Sequence, residues 1–181
     1  FDYFGASAGP PGLGYYSYDL GAWHVIALNS NLHGSAGSPQ HEWARADLSA
    51  SRASCILALW HHPRYSSGPS GGDRTMQDIW KLLQEAGAEV VLTGHDHIYE
   101  RFAPQDADGR LDLARGLRQF VVGTGGYTLY DLGPAKPNSE VRDNQTWGVL
   151  RMSLHATGYD WEFVPVAGRS FRDSGSAQCS R

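Results

Sequence analysis

The sequence Val90-Val-Leu-Thr-Gly-His-Asp-His-Ile-Tyr-Glu-Arg-Phe102 is the stretch that decides the fold prediction for this chain. Its apolar start has the length of a buried strand. Gly94 is expected to end that strand, because glycine adopts backbone angles that other residues resist. His95 and His97 follow at the carboxyl end, where two imidazoles can bind one metal ion or two neighbouring ions. The alternative is a polar turn with solvated histidines, and this stretch alone leaves both open.

A second apolar run, residues 56–60, also ends in histidine. His61 and His62 follow it, and Pro63 favours an extended backbone at His62 and ends the strand. Residues 66–72 then have the serine, glycine and proline content of a loop. Open α/β sheets build their sites where neighbouring strands end at one edge. We therefore expect strands 55–60 and 89–93 to be neighbours in one sheet and to bring their histidines together.

Periodicity predicts alternating strands and helices up to residue 93 and strands alone after it. The expected strands are 15–20, 23–28, 55–60, 89–93, 98–103, 117–122, 147–154 and 159–166, and the expected helices are 38–50 and 75–86. Ser38 and Pro39 give the first helix an N-cap and a first-turn proline, and Gly87 is placed as the C-cap of the second. The later strands are expected to be antiparallel, and residues 131–146 to be a polar loop.

Three further features are interpreted as structural. His24 alternates with apolar neighbours, which favours a position on a strand face over a ligand. The acidic turn at 106–109 lacks the spacing of a calcium loop. The glycine loop at 123–126 lacks the lysine and the following helix of a nucleotide-binding loop. His41, in the first turn of the first predicted helix, is expected to be exposed.

Composition limits the classes of function. A chain of 181 residues suits one domain, and a net charge of -4 offers no basic face to nucleic acid. No apolar run reaches the ~18 residues of a membrane span. The 12% aromatic content suits a secreted or periplasmic domain, and the lack of a starting Met and of a signal peptide indicates a mature chain or a fragment. Cys55 and Cys179 would pair in an oxidising compartment or stay free, and the sequence leaves both open.

The two histidine stretches together carry a family resemblance. Trp60-His-His-Pro-Arg-Tyr-Ser-Ser-Gly68, with Gly94-His-Asp-His-Ile-Tyr-Glu-Arg-Phe102, resembles the calcineurin-like metallophosphoesterases of the purple-acid-phosphatase-like bacterial type. The resemblance extends over nearly the whole chain. It implies an α/β fold, a layered α-β-β-α sandwich of which this chain is the C-terminal half. The domain prediction is a single partial metallophosphoesterase-like domain over residues 1–181, with residues 168–181 as a tail.

The resemblance also implies a site with two divalent or trivalent metal ions, iron, zinc or manganese. His61 and His95 would bind one ion and His97 the other, while His62 would support the ligands or donate a proton to the leaving group. The implied reaction is hydrolysis of a small phosphate ester by a hydroxide that bridges the two metals. No substrate-binding residue is assigned.

Neighbouring residues of the same string are given structural roles. Asp96 is expected to point away from the metals, where it would orient a neighbouring imidazole. Glu100 and Arg101 are expected to pair with each other. The glycine loop at 123–126 would lie at the rim of the site.

The sequence also departs from the family pattern. It lacks the Gly-Asn-His, Gly-Asp-x-x-Asp and Gly-Asp-x-x-Tyr motifs that carry the remaining ligands, and residues 67–75 contain no histidine. We therefore expect this chain to supply the histidine half of the site, with an N-terminal half as its partner. The alternative is a truncated, non-catalytic secreted module that binds a metal or another ligand without turnover. In a third interpretation all the histidines are structural.

Overall fold

The computed structural model describes residues 3, 5 and 9–180, which form two sheets and two helices. In chain order the elements are β1 (Tyr16–Leu20), β2 (Trp23–Ala27), α1 (Pro39–Ala50), β3 (Cys55–Leu59), α2 (Gln77–Glu85), β4 (Val90–Thr93), β5 (Tyr99–Phe102), β6 (Arg118–Val122), β7 (Ser139–Asp143), β8 (Gly148–His155), β9 (Gly158–Pro165) and β10 (Ser174–Gln178). Neither helix of the described residues is long and apolar enough to cross a membrane.

The larger sheet is mixed, with strand order β1-β2-β3-β4-β6-β5-β7. Strands β2, β3, β4 and β6 are parallel neighbours, whereas β1, β5 and β7 run antiparallel to their partners. The predicted pairing of β3 with β4 is confirmed, with Leu57 opposite Val90. The expectation that all later strands are antiparallel is wrong for β6. Because β5 runs back along the sheet and β6 inserts between β4 and β5, β6 runs in the direction of β4.

The first helix begins at the predicted N-cap. Ser38 has an extended backbone, and its hydroxyl accepts the backbone N–H of His41 at 3.2 Å, which satisfies an amide that the helix leaves free. The buried residues of α1 are Gln40, Ala44 and Leu48. His41 was expected to be exposed but is half-buried, because it lies next to the buried Gln40 in the first turn of α1.

The second helix is shorter at its start than predicted. Asp73 accepts the backbone N–H and the hydroxyl of Thr75, each at 2.7 Å, so a side-chain turn precedes the helix. Helix α2 buries Ile79, Trp80 and Leu83. At its other end Gly87 follows the helix with φ of 77°, a left-handed conformation that glycine adopts without steric cost.

The large sheet has a different partner on each face. Alternate residues of β3 separate the two sides, since Ile56 and Ala58 pack with the helices while Cys55 and Leu57 pack with the three-stranded sheet β10-β9-β8. The described residues therefore form helix, sheet and sheet layers. A second helical layer, which the predicted four-layer sandwich requires, is absent from them.

The C-terminal segment is more ordered than the predicted tail. Within 168–180, β10 pairs antiparallel with β9, and Cys179 forms a disulfide with Cys55 across Cα atoms 5.5 Å apart. Asp173 is buried and accepts hydrogen bonds from Tyr99 at 2.6 Å and Arg101 at 2.7 Å. The sequence of β10 has no apolar alternation, so its order comes from backbone pairing and the disulfide.

The polar loop predicted at 131–146 likewise contains a strand. Strand β7 forms the edge of the large sheet beside β5. Its side chains are polar, but Glu140 accepts hydrogen bonds from Arg101 and Arg118. An edge strand half open to solvent needs no apolar residues on its outer side.

Candidate metal centre

The histidines lie at one edge of the large sheet because parallel strands end there together. His61 and His62 follow β3, His95 follows β4, and Ser30 lies just beyond β2. The backbone N–H of Gly94 donates to the carbonyl of His61 at 3.0 Å, which fixes the two strand ends against each other.

Three imidazoles form a cluster, His61, His62 and His95, whose potential ligand atoms all lie within 4.8 Å of one another. The shortest contact joins Nε2 of His61 to Nδ1 of His95 at 3.1 Å. The ring centroid of His62 is 4.8 Å from that of His61 and 4.4 Å from that of His95. His61 is exposed and His62 is half-buried, so the cluster is open to solvent.

The turn that presents His95 is strained. His95 has φ of 63°, in the left-handed region that residues with a Cβ rarely adopt. The sequence predicted the unusual backbone angles at Gly94, but the φ of Gly94 is not positive. Strain of this kind persists where the surrounding structure enforces it, and it is frequent at functional sites. Here it turns the His95 ring toward His61.

Ser30 holds His62 in place. Its hydroxyl oxygen accepts the backbone N–H of His62 at 3.0 Å and lies 2.9 Å from Nδ1 of the same residue. Ser30 was not among the residues predicted for the site. The available signal was its position just after β2, at the edge where the histidines converge.

His97 lies apart from the three-histidine cluster. Its Nδ1 donates to the carbonyl of Thr128 at 2.9 Å, and its ring stacks on Tyr130 with centroids 4.1 Å apart. Because Nδ1 carries the proton in this hydrogen bond, Nε2 has the free lone pair that a metal would need. The orientation of His97 therefore suits a metal ligand, although His97 is not part of the three-histidine cluster.

The electrostatics favour a neutral imidazole at His61. Partial burial of the ring, and then the charges that His62, His95 and His97 would carry, lower the pKa of His61 below 6.5. A neutral ring is the form that binds a metal ion.

Asp96 points away from the cluster, as expected, but it orients a loop rather than an imidazole. Its carboxylate accepts hydrogen bonds from the hydroxyl of Ser66 and from the backbone N–H of Ser70, the latter at 3.1 Å. Asp96 is buried, so these bonds anchor the loop that covers one side of the site.

The predicted pair of Glu100 and Arg101 does not form. Because successive residues of β5 face opposite sides of the sheet, the two side chains diverge. Glu100 accepts hydrogen bonds from the N–H and the hydroxyl of Ser67, at 2.7 and 2.6 Å. Arg101 instead binds Asp173 and Glu140.

A pocket of about 290 Å³ opens beside the cluster. Its lining residues are His62, Pro63, Ser70, Gly72, Asp73, Arg74 and His95. The composition of this part of the chain predicts only a loop, and it gives no signal for Arg74. The loop at 123–126 lines a different pocket, which includes Trp147.

The donor set fits a transition metal ion. Two ligands at the usual zinc–nitrogen distance and a tetrahedral angle are about 3.3 Å apart, close to the separation of the His61 and His95 nitrogens. Imidazoles suit zinc and iron. Among the described residues no carboxylate joins the three-histidine cluster, so these residues offer donors for one ion but no anionic ligands to hold a second close by.

Sequence comparison identifies the family. The model of the family described as calcineurin-like phosphoesterase matches residues 8–99, just over half of the chain. This chain belongs to the calcineurin-like phosphoesterases. The resemblance predicted from the two histidine stretches is thereby confirmed.

Curated relatives of this phosphoesterase chain are purple acid phosphatases. Purple acid phosphatase 18 of Arabidopsis thaliana is 34% identical over 118 residues, which cover 62% of this chain and 26% of the relative. Purple acid phosphatase 21 of the same plant is 30% identical over 155 residues, which cover 78% of this chain and 34% of the relative. The chain thus spans about a quarter to a third of the length of these relatives. The bacterial type stays a prediction.

A solved structure supports the fold. Purple acid phosphatase PPD1 from yellow lupin (Lupinus luteus) seeds superposes with a TM-score of 0.80 at 21% identity, covering 94% of this chain and 33% of the other. The predicted α/β fold of the metallophosphoesterase type is confirmed by this likeness.

Proposed function

We propose that this chain carries the histidine half of a secreted metallophosphoesterase that hydrolyses small phosphate esters. The observation that supports this most is the His61, His62 and His95 cluster at the carboxyl ends of β3 and β4, in a chain of the calcineurin-like phosphoesterase family. The disulfide between Cys55 and Cys179 supports an extracellular location, because disulfides persist in oxidising compartments.

The histidines would have distinct roles in this reaction. His61 and His95 would hold one metal ion, and His97 would hold another through Nε2. Bound metal ions would neutralise the charge of the phosphate ester and allow water to react at neutral pH. His62, held by Ser30, would give a ring proton to the leaving-group oxygen.

The anionic ligands of the site are a further part of the proposal. Two metal ions held close together repel each other, and carboxylates offset that repulsion whereas neutral imidazoles do not. We propose that carboxylate and asparagine ligands come from residues outside these 181, on an N-terminal half. The support is the absence of their motifs from the sequence and the share of the relatives that the chain spans.

Hydrolysis of p-nitrophenyl phosphate tests whether the site is divided between the histidines of this chain and ligands from an N-terminal half. The 181-residue chain, supplied with zinc, iron or manganese, should show a rate little above background. The same residues within a full-length chain that carries the Gly-Asn-His and Gly-Asp motifs should turn over, and His95→Ala should abolish that activity. A robust metal-dependent rate from the 181 residues alone would contradict the division. A full-length chain that binds metal but hydrolyses no phosphate ester would favour the non-catalytic alternative.

A further inference from the structure

The pocket beside the histidine cluster has one permanent positive charge. Of its lining residues only Arg74 is a lysine or arginine, and the side chain of Arg74 is exposed. No ion pair joins Arg74 to a carboxylate within the described residues. An exposed guanidinium with no carboxylate partner keeps its five donors for a ligand, and its planar fork matches the oxygens of a phosphate.

The backbone that carries Arg74 is fixed. The N–H of Asp73 donates to the carbonyl of Pro63 at 2.8 Å, and the carbonyl of Arg74 accepts the N–H of Gln77 at 3.0 Å. Asp73 also binds Thr75, so its carboxylate is already engaged in the turn. The Arg74 side chain is therefore exposed to solvent on a backbone whose position is fixed.

The same turn packs closely against the strand end that carries the histidines. Gly72 has φ of 93°, and a Cβ added there would lie 2.5 Å from the carbonyl oxygen of Arg64. Only glycine fits this approach, which brings the turn up against the segment that follows His62. On the other side of the pocket, the backbone N–H of Ser70 is bound to the buried Asp96.

We infer that Arg74 binds the phosphate group of the substrate in this pocket, beside His62 and His95. The inference rests on the proposed function for the identity of the ligand. Arg74 supplies charge-assisted hydrogen bonds to phosphate oxygens, and no other lining residue is a lysine or arginine. Arg74 thus makes the pocket selective for anionic esters over neutral ones.

Phosphate binding by the metal-free chain tests the inference without any activity. Orthophosphate is titrated into the wild-type chain, Arg74→Ala and Arg74→Lys in the presence of a chelator, and binding is followed by phosphorus NMR. Arg74→Ala should weaken binding by about tenfold or more, the usual effect of losing a charged hydrogen bond. Arg74→Lys should recover part of the loss, because it restores charge but not the fork.

Arg52→Ala is the matched control. Arg52 is exposed and precedes the amino end of β3, whereas the histidines follow its carboxyl end. Its substitution by alanine therefore changes the net charge equally without touching the pocket. Its phosphate affinity should equal that of the wild type. Equal affinities of Arg74→Ala and wild type, equal losses in Arg74→Ala and Arg52→Ala, or no phosphate binding by the wild type would each overturn the inference.

Kinetics of the full-length protein separate this inference from the proposed function. Arg74→Ala should raise KM and the inhibition constant for orthophosphate by about tenfold, with the same number of bound metal ions as the wild type. If the wild type hydrolyses the ester and Arg74→Ala has the same KM and the same inhibition constant for orthophosphate, the inference is overturned and the proposed function stands. Phosphate binding that depends on Arg74 in a protein without hydrolysis would refute the proposed function and keep the anion site.

Discussion

At the scale of single residues, His24 illustrates a buried imidazole with a structural role. Its ring lies 2.8 Å from Asp19 and 2.7 Å from Asp47, which join the β1–β2 hairpin to α1. Burial alone would lower the pKa of His24, but the hydrogen bonds and charges of the two carboxylates outweigh it and raise the pKa above 6.5. The structure therefore supports the interpretation of His24 as a residue of the strand face.

A raised pKa makes the protonated form of His24 the stabilising one. That contribution is complete below the unfolded pKa of about 6.5 and is lost as the pH rises through the higher folded pKa. We expect His24→Gln to reduce the free energy of unfolding more at about pH 5.5 than at about pH 8.5, measured by urea titration. His155→Gln is the control, since His155 also contacts a carboxylate but is exposed. The same loss for His24→Gln at both pH values would disprove the linkage.

Single residues of the site were predictable to different degrees. The convergence of His61 and His95 follows from two apolar runs that are each followed by histidine, because neighbouring parallel strands have their carboxyl ends on the same side of the sheet. The positions of Ser30 and Arg74 do not follow, because the fold alone brings Ser30 against His62 and Arg74 into the pocket beside His62 and His95. The predicted pair of Glu100 and Arg101 is wrong for a different reason. Adjacent residues of a strand point to opposite faces of the sheet, so their side chains cannot meet.

At the scale of elements, the N-cap of α1 gives a quantitative prediction. Ser38→Ala removes the oxygen that accepts the N–H of His41, so it should reduce the free energy of unfolding by about 1 kcal/mol. Ser49→Ala is the matched control in the same helix, since the exposed Ser49 hydroxyl donates to the carbonyl of Arg45 and caps nothing. Urea titration of both variants measures the difference. Equal stability of Ser38→Ala and Ser49→Ala would mean that the cap contributes nothing.

Elements with a strong local pattern were predicted and those without one were missed. Strands β3 and β4 begin as apolar runs, β2 has His24 among apolar residues, and α1 has a cap that can be read from its sequence. Strands β7 and β10 are polar or small-residue segments whose order depends on distant partners: β5 and the arginines for the first, β9 and the Cys55–Cys179 disulfide for the second. No local signal distinguishes such strands from a loop.

At the scale of the whole molecule, the layers explain why the site is open. Helices cover one face of the large sheet and the three-stranded sheet covers the other, so both faces of β3 and β4 are buried and only their ends are free. The histidines occupy those ends. The prediction of a single partial domain over the chain stays a prediction, as does its N-terminal partner. An open cluster of imidazoles that no carboxylate of the described residues joins is consistent with both.

Zinc titration of the metal-free 181-residue chain, by isothermal calorimetry, tests most directly whether the histidine cluster is a metal centre. We predict about one bound ion per chain, with affinity reduced by about 100-fold or more in His61→Ala and in His95→Ala, because each removes a ligand. His155→Ala, a histidine on the three-stranded sheet, should bind as the wild type does. Zinc affinity that is unchanged in both cluster variants, or reduced as much in His155→Ala, would contradict the metal centre.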